Sequence, residues 1–418
     1  MRSVPLILLA TLSVICSRQL TNVNNGVGDF SIRLLQATFE ENKNSLHSAY
    51  SIAFALGMCL VGAQGSTFIS MRDAMGLSGM TEDDIKSGFK ESTDQLAQLV
   101  PSPGHDFVIS KANRVYVAKS YMIGTNYNQT LSHLFRSNSQ LVDFKGNAAE
   151  VQKDINNFIK DATYGVIPMM LTKPVDTATI MTVINALYFK GSWRKVMNTL
   201  TSTEKFNAYI CPYQVAMKPA DAGQAVNWIQ KKDSFAYQNS SELEATLVEL
   251  PYYPNRKSSN SASMVIILPH PQHRCNISAW VKRQLNWISI VKTMGVMETR
   301  SVNITFPRID IEADFQLSDK LQSLGMTEAF SNRANFSGMV DSGSADLRIN
   351  SVIHKAKMQV DENGATAAAA SIVTVGRSAG IKPVPTEEVF VNRSFVALIV
   401  LRQFGSIVPL FTSVVNQP

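Results

Sequence analysis

The stretch VDENGATAAAASIVTVGRSAG, residues 360–380, is the most informative segment of this chain for its fold and function. Its run of small, neutral residues at 364–371 is rich in alanine, which favours helices and is a poor strand former. Strand-like text nevertheless borders that run, and the polar, proline-containing segment 382–388 follows it. A loop of about 25 residues is longer than most loops in compact domains and is commonly functional or disordered. Composition alone leaves open a functional loop, a disordered surface loop and a short alanine helix.

The apolar pattern of the chain predicts helices first and strands later. Helical spacing predicts helices at residues 30–39, 52–61, 82–99 and 151–162. Runs rich in Val, Ile, Phe and Thr predict strands at residues 180–188, 247–250, 264–268, 302–306, 352–360 and 395–402. Because no repeat or linker divides the chain, the sequence predicts an α+β fold with one large domain at residues 18–418.

The first 17 residues are typical of a secretory signal peptide. A basic start at Arg2 precedes an apolar run at residues 4–16, which is too short to cross a bilayer. A buried N-terminal strand or helix is the alternative interpretation. No later segment approaches the roughly 18 unbroken apolar residues that a membrane-spanning helix needs. We therefore expect a secreted, extracellular protein that is not inserted in a membrane.

Cysteines and glycosylation signals agree with secretion. Cys59, Cys211 and Cys275 remain after the signal peptide, so at most one internal disulfide can form, and a pairing of the last two stays open. Asn303 and Asn392 are glycosylation signals inside strand-like text, where an attached sugar would be buried. The four candidates for glycosylation are Asn128, Asn239, Asn276 and Asn335.

Charge and motifs argue against several functions. The net charge is +6, but the basic pairs are dispersed, so we expect no nucleic-acid binding. The predicted helix at 82–99 carries more acidic than basic residues, so we also expect no heparin binding there. The hydrolase signature Gly-x-Ser-x-Gly and the zinc signature His-Glu-x-x-His do not occur. We interpret residues 270–275, with two His and one Cys, as a polar loop. The expected protein is not an enzyme and needs no cofactor or metal.

The stretch 360–380 resembles the hinge of the serpin family, which has a Glu, then a Gly, then small residues ending in Ser or Thr. The matching residues are Glu362, Gly364, Ala365, Thr366, Ala367, Ala368, Ala369, Ala370 and Ser371. Other blocks that resemble the family, in the family's order, lie at 48–52, 182–193, 330–338, 353–356 and 392–418. The resemblance covers roughly residues 28–418.

The resemblance implies a single serpin-type domain with helices packed on a central β-sheet and an exposed reactive-centre loop at about residues 362–388. It also implies a suicide mechanism, in which a protease attacks the loop and the cleaved loop inserts as a new central strand. The resemblance implies a shutter, the region where the central sheet opens, with the residues Ser48, Ser51, Asn185 and His354. It also implies a breach, at the end of the sheet where the loop would enter, with the residue Trp193. Ala49 and Thr366 depart from the family's usual Pro and Glu.

The residue chemistry of the small run suits an inserted strand. Alternate side chains of a strand point to opposite faces, and one face here would carry only small residues: Ala365, Ala367, Ala369 and Ser371. Gly364 supplies a backbone that is free to bend. Such a strand could enter between two others without burying a large or charged group.

Two residues compete for the position that the protease recognises. Arg377 fits the acidic base of a trypsin-like pocket, which makes Arg377–Ser378 the scissile bond. The family's usual spacing from Glu362 gives Ser378 instead. An elastase-like protease cutting near Val375 or Ser378, or a non-inhibitory serpin acting as carrier or chaperone, is the alternative. We expect a monomer that forms a covalent 1:1 complex with a serine protease.

Overall fold

Two β-sheets and the helices packed on them make up the part of the chain that the structure describes. The structure is a computed structural model, and it describes residues 6–97, 107–200, 202, 204–206, 225–252, 261–274, 276–341, 346–362, 385–403 and 405–418. This architecture is the α+β fold that the sequence predicts. Within these ranges no helix combines the length and apolarity needed to cross a membrane.

Nine α-helices occur in the described ranges, six of them before residue 163. They are α1 (Leu6–Thr38), α2 (Ala49–Leu60), α3 (Gly65–Ala74), α4 (Glu82–Ala97), α5 (Thr125–Phe135), α6 (Ala148–Ala162), α7 (Ile277–Arg283), α8 (Trp287–Gly295) and α9 (Ser318–Ser323). Every residue of α2 is buried, as its nearly continuous apolar text predicts. Its first turn is capped by Ser48, whose side chain accepts from the Ser51 N–H at 3.1 Å.

The smaller sheet, which we call the central sheet, has five strands. They are β2 (Phe107–Ala118), β3 (Ser139–Val142), β4 (Met181–Gly191), β10 (Ile309–Gln316) and β11 (Ile349–Val360). Their order is β10-β11-β4-β2-β3. The pair β11–β4 at the middle is parallel, and it is flanked by the antiparallel pairs β10–β11 and β2–β4.

The larger sheet has nine strands in the order β1-β14-β13-β8-β7-β6-β9-β12, with β5 paired to β6. The strands are β1 (Ser45–His47), β5 (Asn198–Leu200), β6 (Trp228–Ser240), β7 (Ala245–Pro251), β8 (Ser261–Pro269), β9 (Glu298–Pro307), β12 (Thr386–Phe390), β13 (Phe395–Gln403) and β14 (Ser406–Val415). All ten positions of β14 are buried, because α1 and α2 cover it.

The central sheet is covered on both faces along β2 and β4. Odd-numbered side chains of β2, such as Val115 and Val117, join the large core that contains α2. Even-numbered side chains, such as Ala112 and Tyr116, join a separate core with Ile155 and other residues of α6. A strand covered on both faces reads as continuous apolar text, and β4 is buried at ten of eleven positions.

The predicted helices and strands all occur, with ends that differ by a few residues, except that the helix predicted at 30–39 begins much earlier, at Leu6. The first third is mainly helical, with α1 to α5, but it also contains β2, a strand that the sequence analysis did not predict. β2 escapes detection since polar residues interrupt its apolar alternation. Asn392 also needs correction: it lies half-buried between β12 and β13 and not inside a strand, whereas Asn303 does lie within β9.

Candidate functional site

The middle of the central sheet is a closed parallel pair that leads directly into the predicted hinge. β4 and β11 pair from Met181↔Ile349 to Phe189↔Met358, with Asn185 opposite His354. β11 ends at Val360, and Glu362 is the last residue described before the loop. The remaining predicted hinge residues, Gly364 to Ser371, and the predicted scissile bond Arg377–Ser378 lie outside the described residues.

The predicted shutter residues lie together beneath the start of α2. The Ser48 backbone N–H donates to His354 Nε2 at 3.2 Å, and His354 Nδ1 bonds Asn185 Oδ1. Asn185 Nδ2 donates to Ser51 Oγ at 2.5 Å and to Asn113 Oδ1. Ser51 Oγ donates to the same Asn113 oxygen at 3.1 Å. We call these five residues the shutter cluster; Asn113 is the member that the sequence analysis missed.

The hydrogen bonds fix the protonation of His354. Its Nε2 accepts a backbone N–H, so Nε2 is unprotonated and Nδ1 carries the proton that is donated to Asn185. Burial lowers the pKa of His354 to about 3, with the neighbouring His47 as a second cause, so the ring is neutral at physiological pH. The side chains of His354 and Asn185 are fully buried, so the cluster ties β4 to β11 without a charge.

A second buried histidine lies beside the shutter cluster. The Nε2 of His47, on β1, is 3.2 Å from the carbonyl oxygen of Ser31, and a carbonyl only accepts, so Nε2 carries the proton. Burial lowers the pKa of His47 to about 4. His47 is fully buried, and its Nδ1 has no hydrogen-bond partner among the residues that the structure describes. The sequence analysis did not identify it, since nothing in its local pattern marks a histidine that meets β11.

The predicted breach residue Trp193 holds the end of β11. Its indole N–H donates to the Asp361 carbonyl at 2.7 Å, and its ring stacks on Tyr252 with centroids 4.6 Å apart. Trp193 is 3% exposed, so this hydrogen bond is sheltered from water. The chain at the hinge entrance is therefore anchored by a buried donor.

Glu362, the first predicted hinge residue, is held from two directions. Its carbonyl accepts from the Met197 N–H at 3.1 Å. Its carboxylate forms an ion pair with Arg308, which lies between β9 and β10. These contacts fix the position at which the hinge leaves the sheet. Sequence reasoning missed Arg308, because 54 residues separate the two partners.

The glycosylation candidates differ in exposure. Asn239 and Asn276 are exposed, whereas Asn128 and Asn335 are half-buried. Asn276 caps α7 through its Oδ1, which leaves the Nδ2 of this side chain free of that bond. The exposed pair offers the better access to a glycosylating enzyme.

Two other predicted features can be placed. The loop 270–274 bonds to neighbouring polar groups: His270 Nε2 lies 2.7 Å from Asn239 Oδ1, and His273 contacts Glu244. In the described ranges no group of three or more His, Cys, Asp or Glu side chains could hold a metal ion.

Cys59 is a buried free thiol, and burial raises its pKa to about 12. Cys211 and Cys275 lie outside the described residues.

The helix α4 presents few free positive charges. Lys86 pairs with Glu82 at 2.6 Å, and Lys90 pairs with Asp94. Both lysines are thus neutralised within the helix, as the acidic balance of its sequence leads us to expect. This arrangement does not favour a long polyanion on α4.

Comparisons with known proteins place this chain in one family. The family model described as "Serpin (serine protease inhibitor)" matches residues 25–418. Intracellular coagulation inhibitor 2 of Tachypleus tridentatus is 31% identical over 92% of this chain and 89% of its own. Leukocyte elastase inhibitor A of Mus musculus is 29% identical over 88% and 93%. The solved native structure of the thermophilic serpin Tengpin superposes with a TM-score of 0.76 at 24% identity, covering 95% and 94% of the two chains.

Proposed function

The chain belongs to the serpin family, and on that premise we propose that it is a secreted suicide inhibitor of a trypsin-like serine protease. Its relatives in the family include a coagulation inhibitor and an elastase inhibitor, so protease inhibition is the activity that similarity favours. The finer claims are the insertion mechanism, the trypsin-like target and the extracellular site of action.

The observation that carries the proposal is the parallel pair β4–β11, closed by the shutter cluster and continued by the hinge. After β11 the chain must reverse direction to return between these strands. An inserted strand would then run antiparallel to both neighbours and could form a full ladder on each side. A parallel pair with a long segment leaving one of its strands is the topology that insertion needs.

The small size of the hinge residues supports insertion, because small side chains can be packed into the sheet. One face of the central sheet packs on the core that contains α2, and the other face is covered along β4 but partly open along β11. Alternate side chains of an inserted strand would therefore be fully buried. The residues from Ala365 to Ser371 offer only methyl and hydroxyl groups to those faces. Methyl-sized groups enter a close-packed interior with little rearrangement, whereas large or charged groups would not.

The chemistry at the scissile bond follows from this arrangement. The protease serine attacks the carbonyl carbon of Arg377, the bond to Ser378 breaks, and the Ser378 nitrogen leaves as a protonated amine. An ester now links Arg377 to the protease, and water would normally hydrolyse it. Insertion competes with that hydrolysis: it carries the acyl-enzyme away from the loop's starting position and distorts the protease before the ester is cleaved.

Two observations bear on the alternatives. A relative named for elastase inhibition favours an elastase-like protease cutting near Val375 or Ser378, and the family spacing from Glu362 gives Ser378. A non-inhibitory carrier or chaperone needs no rapid insertion, and its hinge would tolerate bulky residues. The uniformly small residues of this hinge favour an inhibitor.

The proposal of secretion rests on the signal-like residues 1–17 and on the exposed glycosylation candidates Asn239 and Asn276. One similar protein is named as intracellular. Expression in a secretory host, with N-terminal sequencing of the product, tests cleavage after residue 17.

The inhibitory function is tested by incubation with trypsin, followed by a denaturing gel. We expect a 1:1 covalent band, and we expect Arg377→Ala to abolish it while the control Arg377→Lys keeps it, since lysine also fits an acidic pocket. An elastase panel run in parallel identifies the alternative register. If no protease in either panel gives a covalent band, the inhibitor proposal is wrong; if Arg377→Ala traps trypsin at the parent rate, only the bait residue is wrong.

A further inference from the structure

The glycosylation signal at Asn303 lies on the polar face of the larger sheet. The neighbouring residues of β9, Val302 and Ile304, are fully buried in the large core. Alternate side chains of a strand point to opposite faces, so Asn303 points away from that core, and it is half-buried. The sequence analysis expects a sugar at this position to be buried. That expectation is wrong, because a strand here buries only one of its two faces.

Exposed charged side chains flank Asn303 on both neighbouring strands. Lys232 of β6 and Glu388 of β12 lie opposite Asn303 in the register of the sheet, and both are exposed. The next pair on the same face is Ser301 and Thr386, whose hydroxyl oxygens lie 3.1 Å apart. Hydroxyl-rich sugars can lie on such a polar, solvated surface without burying an unpaired polar group.

The amide nitrogen of Asn303 can carry a sugar and keep its present hydrogen bond. Its Nδ2 donates to Glu388 Oε2 at 2.8 Å. A side-chain amide nitrogen carries two hydrogens, and this bond uses one of them. Attachment of a sugar replaces the other hydrogen. The bond to Glu388 can therefore persist in the glycosylated protein and orient the first sugar on the face of the sheet.

Residues 303–305, Asn-Ile-Thr, form a complete signal for N-glycosylation. We propose that Asn303 carries an N-linked glycan, which stands beside the predicted reactive-centre loop and restricts the access of proteases to it. In the transfer, Nδ2 attacks C1 of the first sugar of a lipid-linked oligosaccharide diphosphate. The Nδ2–C1 bond forms, the C1–oxygen bond breaks, the lipid diphosphate leaves with the bonding electrons, and Nδ2 loses one proton. This inference rests on the proposed function, since transfer requires entry into the secretory pathway.

The register of the sheet places Asn303 close to the end of the loop. β12 begins at Thr386, directly after the predicted loop, and Thr386 pairs with Ser301. Asn303 is two residues further along β9, which is about 7 Å in a strand. Eight residues separate Ser378 of the predicted scissile bond from Thr386, a distance of at most about 29 Å even in extended chain. A bulky, hydrated glycan on Asn303 therefore lies near a protease that attacks this bond.

Asn239 offers a matched site on the same sheet. It is exposed, and it is also the first residue of a glycosylation signal. It pairs with Thr246 of β7, beyond the last pair between β6 and β9, whereas Asn303 pairs directly with β12. A glycan on Asn239 is therefore farther from the end of the loop. Its removal should not change the access of proteases.

Peptide mass spectrometry of protein from a glycosylating host tests the modification. The chain is expressed behind the signal peptide of an unrelated secreted protein, so the result does not depend on residues 1–17. We expect the peptide that contains Asn303 to carry a glycan that an amidase specific for N-glycans removes. An unmodified Asn303 overturns the proposal, whether or not Asn239 carries a glycan. Failure of residues 1–17 to direct secretion, by contrast, overturns only the proposed secretion.

The rate of protease attack tests the effect on access. Trypsin and larger trypsin-like proteases are mixed with the protein, and the covalent and the nicked products are counted together, so that inhibitor and substrate behaviour both register. We expect attack on Asn303→Gln to be at least about twofold faster than on the glycosylated parent, and attack on Asn239→Gln to match the parent. Parent protein without glycans should match Asn303→Gln.

Equal rates for the glycosylated parent and Asn303→Gln would overturn the restriction of access. The same holds if the two proteins differ equally when both are made without glycans, since the side chain would then be the cause. If no protease attacks the loop, the proposed function is wrong and the restriction of access falls with it. The occupancy of Asn303 still decides the modification site in that case.

Discussion

Acidification should open the shutter cluster, because His354 within it and His47 beside it are both neutral at physiological pH. Protonation of His354 at Nε2 would place a proton against the Ser48 N–H and remove the 3.2 Å hydrogen bond between them. The second positive charge, on His47, would be close by, since His47 is already one of the groups that lower the pKa of His354. Lower pH is therefore expected to weaken the contact between β4, β11 and α2.

The magnitude follows from the pKa values. The unfolded chain binds a proton at each histidine with a pKa of about 6.5, whereas the folded values are about 3 for His354 and about 4 for His47. The stabilising contribution is fully present above pH 6.5 and is lost as the pH falls towards those folded values. The loss is about 1.4 kcal/mol per pH unit for His354 alone, or about 2 kcal/mol at pH 5.

Thermal melting followed by circular dichroism at pH 7.5 and pH 5 measures this effect. With an unfolding entropy of about 2.1 cal/mol/K per residue, a loss of about 2 kcal/mol lowers the midpoint by roughly 2 °C in a chain of this length. His354→Gln keeps a donor and an acceptor but does not titrate, so its midpoint should fall by about 2 °C less than that of the parent.

The exposed His133 on α5 offers a matched control. His133→Gln should retain the pH dependence of the parent, because it removes a histidine outside the shutter cluster. Equal pH dependence in the parent and in His354→Gln would refute the reasoning. It would mean that His354 is not held neutral by the contacts described above.

Three further predictions test the hinge, the breach and α4. Ala365→Arg should turn the inhibitor into a substrate that is cut at the parent rate and releases active protease. Burial of a guanidinium costs several kcal/mol, and each roughly 1.4 kcal/mol added to the barrier slows insertion about tenfold. A covalent band of unchanged intensity would count against insertion of residues 364–371. Trp193→Phe keeps the stack on Tyr252 but loses the 2.7 Å hydrogen bond to the Asp361 carbonyl. The melting midpoint should therefore fall by roughly 1–2 °C, and inhibitory activity should decay faster on storage. An unchanged midpoint would show that this hydrogen bond does not hold the hinge entrance. Heparin should change the inhibition rate by less than about twofold, given the paired lysines of α4, and a large, salt-sensitive acceleration would show a polyanion site elsewhere.

Local sequence could predict the buried helices and strands of this fold because their apolar residues follow one another without interruption. α2 and β4 are apolar on all sides, and strand-like text leads into β11. β2 could not be found in the same way. Its middle carries four polar residues. Ser110 and Lys111 lie where β3 does not reach β2, Asn113 belongs to the shutter cluster, and Arg114 stacks over Phe158.

The residues of the site also fall into those that local sequence could predict and those that it could not. The hinge and the pairing of Asn185 with His354 could be anticipated, since the motifs that resemble the family carry them. Asn113 and Arg308 could not, because their partners are distant in sequence and only the assembled sheet brings them together. A polar residue in a strand-like segment is the signal that could have marked Asn113 as a buried hydrogen-bonding group.

The central claim is that the loop enters the sheet between β4 and β11, and the melting of intact against loop-nicked protein tests it most directly. Insertion of the eight residues 364–371 would form roughly 16 ladder hydrogen bonds and break the roughly 8 that join β4 to β11. The net gain is roughly 8 bonds at about 0.5–1.5 kcal/mol each, or on the order of 8 kcal/mol. The nicked protein should therefore melt on the order of 10 °C above the intact protein. A nicked protein that melts at the same temperature as the intact one, or below it, would contradict insertion and with it the proposed mechanism.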